Sequence, residues 1–349
     1  MRVLSSIILF ALSATVAVAE DGKCVAGDCT KGSGTAIWGA DVYTGSFQNG
    51  KPGGPGTFKL ADGRTFSGNF TNGEATGQFQ VNYPDGSIYN GELVGGRRKG
   101  KGTLKSMRGI YRGEFDQDKI QGQGTFDFAS GEVYKGEFKD GQMHGQGTMK
   151  FRDGTLYKGE FKDGKMAGPA HVEYPDGRIY DGEFTGGHMQ GTGKLALKDG
   201  AVYEGDFANG QMHGQGTIRF ANGDKYSGEM DHGKIQGRGK LEYHEGAVYE
   251  GEFKSGLPHG EGELSSPRGI KYKGEFKNGQ MEGKGEIFYK SGSRYVGQVK
   301  DGKKEGEGEW TLSNGTVLKG RFKGDSYAGS AETQESDPSK PPEKGQKGE

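Results

Sequence analysis

Little in this chain belongs to an ordinary globular enzyme. It has two cysteines in 349 residues, and the first histidine is His144, so a structural zinc site has too few ligands. Its net charge is −1, which gives no electrostatic footing for nucleic acid. Only 30% of the residues are hydrophobic and mean hydropathy is −0.82, so a large globular core is excluded. After the first nineteen residues no apolar run is long enough to span a membrane. What is abundant is glycine, 70 residues, together with 16 Tyr and 19 Phe. So many aromatics argue against a solvated coil, and the glycines do not recur at every third position as in collagen. Glycine plus aromatic at a longer period is left, which points to a thin, solenoid-like array.

The first nineteen residues, MRVLSSIILFALSATVAVA, read as a secretory signal. Arg2 supplies the charged start, residues 3–16 the apolar stretch, and Ala17-Val18-Ala19 the small-residue cleavage site. A membrane anchor would need roughly 20 apolar residues, and Ser5, Ser6 and Ser13 weaken this stretch further. The mature chain is therefore expected to begin at Glu20 and to be periplasmic or secreted. In an oxidising compartment Cys24 and Cys29, only four residues apart, are most simply a disulfide at the N-terminal end of the array. Without export they remain free thiols.

The period is 23 residues. YKGEFKDGQMHGQGTMKFRDGTL begins at Tyr134, and a near copy begins at Tyr157. Anchored on the first aromatic, copies start at Tyr43, Phe66, Tyr89, Tyr111, Tyr134, Tyr157, Tyr180, Tyr203, Tyr226, Tyr249, Tyr272 and Tyr295, with a degenerate half copy at Leu318. One step, Tyr89 to Tyr111, is 22 residues. The anchor, a glycine two later and an apolar residue four later lie on one side of an extended strand, as in Tyr43-x-Gly45, Tyr134-x-Gly136-x-Phe138, Tyr157-x-Gly159-x-Phe161 and Tyr203-x-Gly205-x-Phe207. Fifteen residues after the anchor every full copy is apolar again, marking a second strand. Asn-Gly and Asp-Gly pairs such as Asn49-Gly50, Asp140-Gly141 and Asp153-Gly154 end the two strands. Each copy therefore predicts a β-hairpin. The mid-strand glycine recurs in all thirteen copies although Gly there costs roughly 0.5–1 kcal/mol against Ala, so it is expected to make room for a neighbouring ring.

Tyr-x-Gly-x-Phe-x-x-Gly-x-x-x-Gly-x-Gly in 23-residue copies resembles the MORN (membrane occupation and recognition nexus) repeat. The resemblance implies an all-β fold in which tandem antiparallel hairpins lie side by side in one elongated layer. At about 4.8 Å per strand, twelve copies would extend about 115 Å. Three copies depart from the pattern: Asp118 replaces the first-turn glycine, and Phe79 and Ala170 replace the glycine thirteen after the anchor. The expected organisation is a signal peptide over residues 1–19, a cap over 20–42, repeats over 43–324 and a disordered polar tail over 325–349.

Several tempting sites have plainer readings. GGRRKGKGT at 95–103 nearly spells a phosphate loop, but Gly102 stands where Ser or Thr is needed. His144, His213 and His259 share one repeat position, yet copies two or three apart are roughly 19 and 29 Å distant, too far to share a metal. A glutamate three after the anchor, from Glu92 to Glu275, reads as an exposed ladder that discourages aggregation. Met143, Met166, Met189, Met212 and Met281 recur nine after the anchor. They either plug the hairpin ends of the core or form an apolar rail for partner contact.

No nucleophile–base pair, metal spacing or cofactor loop is present in the sequence, so no enzyme, cofactor, nucleotide or nucleic-acid partner is expected. The favoured expectation is an exported scaffold binding another protein or itself. Binding of anionic membrane lipid is the alternative, resting on the local cluster Arg97-Arg98-Lys99-Lys101. A carbohydrate reading that uses aromatic platforms requires tyrosines facing solvent, and the alternation places them inside.

Overall fold

The structure, a computed structural model, describes residues 22–330. The segment expected to be a signal peptide lies outside the described residues. Among them are 28 strands, from β1 (Lys23–Gly27) to β28 (Ser326–Gly329), and no helix. They form two compact units, one through Gln211 and one from Met212.

In the first unit each strand pairs antiparallel with the next, up to β17 (Val202–Ala208). The copy that starts at Tyr134 shows how. Strand β11 (Val133–Lys139) turns through Asp140 and Gly141, both at positive φ, into β12 (Gln142–Lys150). A two-residue turn of this kind matches the right-handed twist of its strands. Tyr134 then stands opposite Met149, Gly136 opposite Gly147, and Phe138 opposite Met143. Gly145 and Gln146 have no partner in β11, which makes a bulge that bends the sheet. The second loop is closed by its own sequence: Phe151 N donates to Thr155 O at 2.8 Å, and Thr155 N to Asp153 Oδ1 at 2.8 Å. Copies dock through their first turns, Gly164 N donating to Met143 O at 3.0 Å.

The second unit repeats this register on its own strands. In β23 (Lys271–Lys277) and β24 (Gln280–Phe288), Tyr272 faces Ile287, Gly274 faces Gly285 and Phe276 faces Met281.

In each unit the core is a zipper of rings on one face of the strands. Tyr134 is fully buried, with its ring 5.1 Å from Phe138 and 4.9 Å from Phe161 of the next copy, both edge to face. Tyr249, Phe253 and Phe276 repeat the arrangement in the second unit. Such contacts contribute about 0.5–1.5 kcal/mol each beyond the area they bury. The Tyr134 ring lies flat over the glycine lane: a Cβ on Gly147 would sit 2.5 Å from its Cε2. Its hydroxyl donates to Glu137 O at 2.9 Å.

The two ends of the array are finished differently. At the start, β1 pairs with β2 (Gly32–Trp38), and Cys24 and Cys29 are joined by a disulfide, their Cα atoms 5.9 Å apart. At the other end the segment from Asp325 is not wholly a disordered tail. Ser326–Gly329 pairs as β28 with β27 (Val317–Lys323). Tyr327 makes this possible: its ring is 5.4 Å from Phe322 and its hydroxyl donates to Lys319 O at 3.0 Å. The rest of that tail, residues 331–349, lies outside the described residues.

The short copy keeps its register. Strands β8 (Arg97–Ser106) and β9 (Gly109–Asp116) are joined by Met107 and Arg108 alone, and Leu104 still faces Tyr111. The missing residue is taken from the loop, leaving Met107 87% exposed.

Candidate interaction surface

The face opposite the rings is polar and troughed. In the first unit, an open trough of 870 Å³ has Gly136, Gly147 and Gly159 on its floor. Lys135, Glu137, Gln146, Thr148, Lys158, His171 and Asp181 form its sides. A second trough of 570 Å³ is lined by Lys101, Thr103, Arg112, Glu114, Gln123 and Thr125. The second unit has a corresponding trough of 770 Å³, lined by Glu229, Arg238, Lys240, Glu250, Glu261 and Lys273. Glycine forms the floor because no side chain can stand between the strands while the rings press from the other side.

The glutamates three after the anchor are not simply an exposed ladder. Their carboxylates fold onto the bulge: a Cβ on Gly145 would meet Glu137 Oε2 at 2.3 Å. In the second unit Lys284 N donates to Glu275 Oε1 at 3.0 Å. Gly145, at φ 58, therefore serves both the bulge and the carboxylate. Beside this lane runs one of cations, Arg112, Lys135 and Lys158, each two residues before its glutamate. Arg112 pairs with Asp127, and Lys158 Nζ lies 3.0 Å from Glu173 Oε1, both on the exposed surface.

The methionine rail does not hold as a contact surface. Met143 and Met166 are only 5% and 9% exposed, packed on the ring face, while Met189, Met212 and Met281 are half-buried. A two-residue turn sets the position nine after the anchor directly opposite the core residue four after it, as Met166 is to Phe161. These side chains close the end of the core.

The basic cluster also changes character. Arg98 takes a methionine position and is 5% exposed, with its guanidinium 5.3 Å from the centroid of Phe115. Its partner is Asp118, whose Oδ1 lies 3.4 Å from Arg98 Nε and accepts from Arg98 N at 2.9 Å. The second unit repeats the device with Lys304, 4% exposed, its Nζ 3.8 Å from the centroid of Trp310 and 3.9 Å from Asp325 Oδ1. Burial pushes the Lys304 pKa down, against the pull of Asp325. Sequence reasoning noticed Asp118 only as a missing glycine. The signal was a cation nine after one anchor paired with an acid seven after the next. With Arg98 turned inward, the cluster keeps only Lys99 and Lys101 exposed and Arg97 half-buried.

The histidines do not converge on a metal. His213 Nδ1 and His232 Nδ1 both approach Asp231 Oδ1, at 3.3 and 2.7 Å, which holds that carboxyl below its usual pKa, mainly through the His232 hydrogen bond. Among the described residues no group of three or more His, Cys, Asp or Glu is placed to hold a metal ion.

No curated protein matches the chain. Several solved structures align with the chain. One is the TCP10 domain of Danio rerio CPAP in complex with a STIL peptide, at 9% identity, covering 76% of this chain and 98% of that one, with a TM-score of 0.29. Another is the Drosophila melanogaster SAS-4 TCP domain in complex with a proline-rich motif of Ana2, at 12% identity over 51% and 85%, with a TM-score of 0.27. Virginiamycin B lyase from Staphylococcus aureus follows at 11% identity over 78% and 85%, with a TM-score of 0.13. At such values the likeness carries nothing about function. The MORN repeat profile, in contrast, matches eleven segments: 43–63, 89–109, 111–133, 134–156, 157–177, 180–202, 203–225, 226–248, 249–271, 272–294 and 295–317. The copy at Phe66 falls outside the profile but forms the same hairpin, β5 (Thr65–Thr71) with β6 (Glu74–Asn82). With register, glycine lane and ring zipper repeated copy after copy, the chain belongs to the MORN repeat family.

Proposed function

We propose that this is an exported, non-catalytic scaffold whose troughed face binds an extended segment of another protein or of a second copy. The observation that carries the reading is the pair of charge lanes flanking the glycine floor. Arg112 with Glu114, Lys135 with Glu137 and Lys158 with Glu160 recur once per copy, at intervals of about 10 Å. An extended chain bearing both charges finds matching partners on each side, and regular spacing adds weak contacts into useful affinity. Electrostatic matching of this kind selects partners more than it supplies raw affinity. Export rests on the first nineteen residues, and the Cys24–Cys29 disulfide suits an oxidising compartment.

The test is affinity capture from envelope extract with protein beginning at Glu20, beside a Lys135→Glu/Lys158→Glu variant. A stoichiometric protein recovered by the wild type and lost by the variant supports the reading. So does self-association that the variant abolishes in sedimentation. A monomer that recovers nothing sensitive to charge reversal removes it. Cosedimentation with anionic vesicles distinguishes the membrane alternative, which the inward turn of Arg98 weakens.

A further inference from the structure

Toward the end of the second unit the polar face breaks its own pattern. One residue after the anchor, Val296 is the single apolar side chain among thirteen copies. Sixteen after the anchor, Phe288 is the single large apolar one. Both are exposed, and so is Val317. Phe288 on β24 stands opposite Arg294 of β25 (Arg294–Lys300), and Arg294 opposite Thr311 of β26 (Lys303–Thr311). Thr311 stands opposite Val317 of β27, and Val296 lies two residues along from Arg294 on the same side. At about 4.8 Å per strand, Phe288 and Val317 are about 14 Å apart in one row, with Val296 in the next. Charged neighbours flank the three without covering them. Arg294 pairs with Glu286 and places its guanidinium 5.8 Å from the Phe288 centroid, and Lys319 Nζ lies 3.4 Å from Glu309 Oε2. An open trough of 450 Å³ adjoins the patch, lined by Val296 with Lys273, Lys284, Glu286 and Glu307. The chain leaves β28 in this direction. Gly329 pairs with Arg321, and β28 runs antiparallel to β27, so each further residue is carried toward Val317. Ser330 already lies beside Gly320, where a Cβ would meet its Cα at 2.8 Å.

We propose that the chain's own C-terminal segment, residues 331–349, folds back over this end of the polar face and seats Pro338, Pro341 and Pro342 on Phe288, Val296 and Val317. The reach is sufficient. Four strands from β28 to β24 measure about 19 Å, and the eight residues from Ser330 to Pro338 extend up to about 26–29 Å. Charge fits the order of the segment. Glu332, Glu335 and Asp337 come first with no cation among them, and β27, which they pass, presents Lys319, Arg321 and Lys323, all exposed. Lys340, set between the prolines, meets Glu307 and Glu309. The segment has no aliphatic or aromatic side chain larger than alanine, so its prolines are the groups an apolar patch can take. Proline also has its φ already fixed, and so loses less chain freedom when it docks. Contacts too weak to hold two separate molecules suffice here, because a short tether keeps the segment at about millimolar effective concentration. Once docked, it closes the trough beside Val296, and a ligand for the last copies must displace it. The contact lies within one molecule and does not depend on the lanes of the earlier copies having a partner.

The experiment is the rate of thiol labelling of Thr311→Cys, which sits between Phe288 and Val317 and leaves all three apolar residues in place. It is measured in protein beginning at Glu20 with the Cys24–Cys29 bond intact, and in the same variant ending at Ser330. Arg219→Cys, at the same repeat position four copies earlier, is the comparison. Hydrogen exchange of β23 to β27 verifies that each variant keeps its strands. The expected result is labelling of Thr311→Cys about tenfold slower in the full chain than in the shortened one, as for a segment docked about nine-tenths of the time. Shortening should leave Arg219→Cys unchanged. Pro338→Ser/Pro341→Ser/Pro342→Ser in the full chain should restore the faster rate. Equal rates in the full and shortened chains overturn the proposal. Protection that survives the three proline replacements, or that appears equally at Arg219→Cys, overturns it as well. So does protection that grows with protein concentration, because a second copy is then the occupant.

Discussion

Replacing Gly136 by Ala tests the packing logic of the whole array. A Cβ there would lie 2.5 Å from Tyr134 Oη, 2.6 Å from Gln146 O and 2.6 Å from Gly147 Cα. Two of these three are backbone atoms of the neighbouring strand, so relief requires the ladder itself to open. Overpacking of this sort costs about 1–3 kcal/mol, and displacing the Tyr134 hydroxyl from Glu137 O about 1 more. Restricting the unfolded chain returns about 0.4–1 kcal/mol, which leaves a net loss of about 1–3.6 kcal/mol. Gly147→Ala is the comparison. Its Cβ would also meet Tyr134, at 2.5 Å, but the nearest atoms belong to a side chain. The next copy already carries Ala170 at that position, with Tyr157 still fully buried and donating to Glu160 O at 2.8 Å. Gly147→Ala should therefore cost less than about 1 kcal/mol. Repeat arrays open locally, so the readout is hydrogen exchange of the amides in β11 and β12, not a single melting temperature. Equal costs at the two glycines, or none at Gly136, would refute the claim that backbone approach explains the invariant position.

Four further outcomes are expected. Phe79→Gly should cost about 3–5 kcal/mol by removing a buried ring 5.0 Å from Phe70, whereas Phe66→Tyr/Phe79→Gly should regain at least about 1 kcal/mol, read as coupling in a double-mutant cycle. Reducing the Cys24–Cys29 bond, which closes a sequence separation of five, should cost about 2 kcal/mol on the chain-entropy scale, seen as lost exchange protection in β1 while later copies keep theirs. Burial raises the anchor tyrosines, Tyr43, Tyr180, Tyr203, Tyr249 and Tyr295 to about 12, so their contribution is complete below pH 10 and is lost as pH rises toward 12. Phenolate absorbance should accordingly rise together with loss of circular dichroism; phenolate forming near pH 10 with the sheet intact would contradict this. Arg98→Met strands Asp118, 17% exposed, and should cost about 3 kcal/mol, whereas Lys304→Met leaves Asp325 51% exposed to water and should be neutral or stabilising by about 1 kcal/mol, measured by local exchange.

Most of the fold was legible because each signal is local and repeated. The 23-residue period gave the unit, Asp140-Gly141 gave the turn, and the alternation from Tyr134 to Phe138 gave the buried side. The feature left open and the feature misread both depend on pairing between strands. The sequence left Met143 between a core plug and an outward rail, and counting across a two-residue turn decides between them by setting it opposite Phe138. Arg98 was read as one of four neighbouring cations, but alternation turns it to the core while Arg97, Lys99 and Lys101 stay on the other side. The bulge at Gly145 and Gln146 was hidden for a different reason. It inserts residues that pair with the following copy and not with their own hairpin, so no pattern within one copy records it. That bulge sets where Glu137 folds down, and hence which side chains remain free to meet a partner. In an array of this kind the periodic residues build the sheet, and function is to be sought where the period breaks.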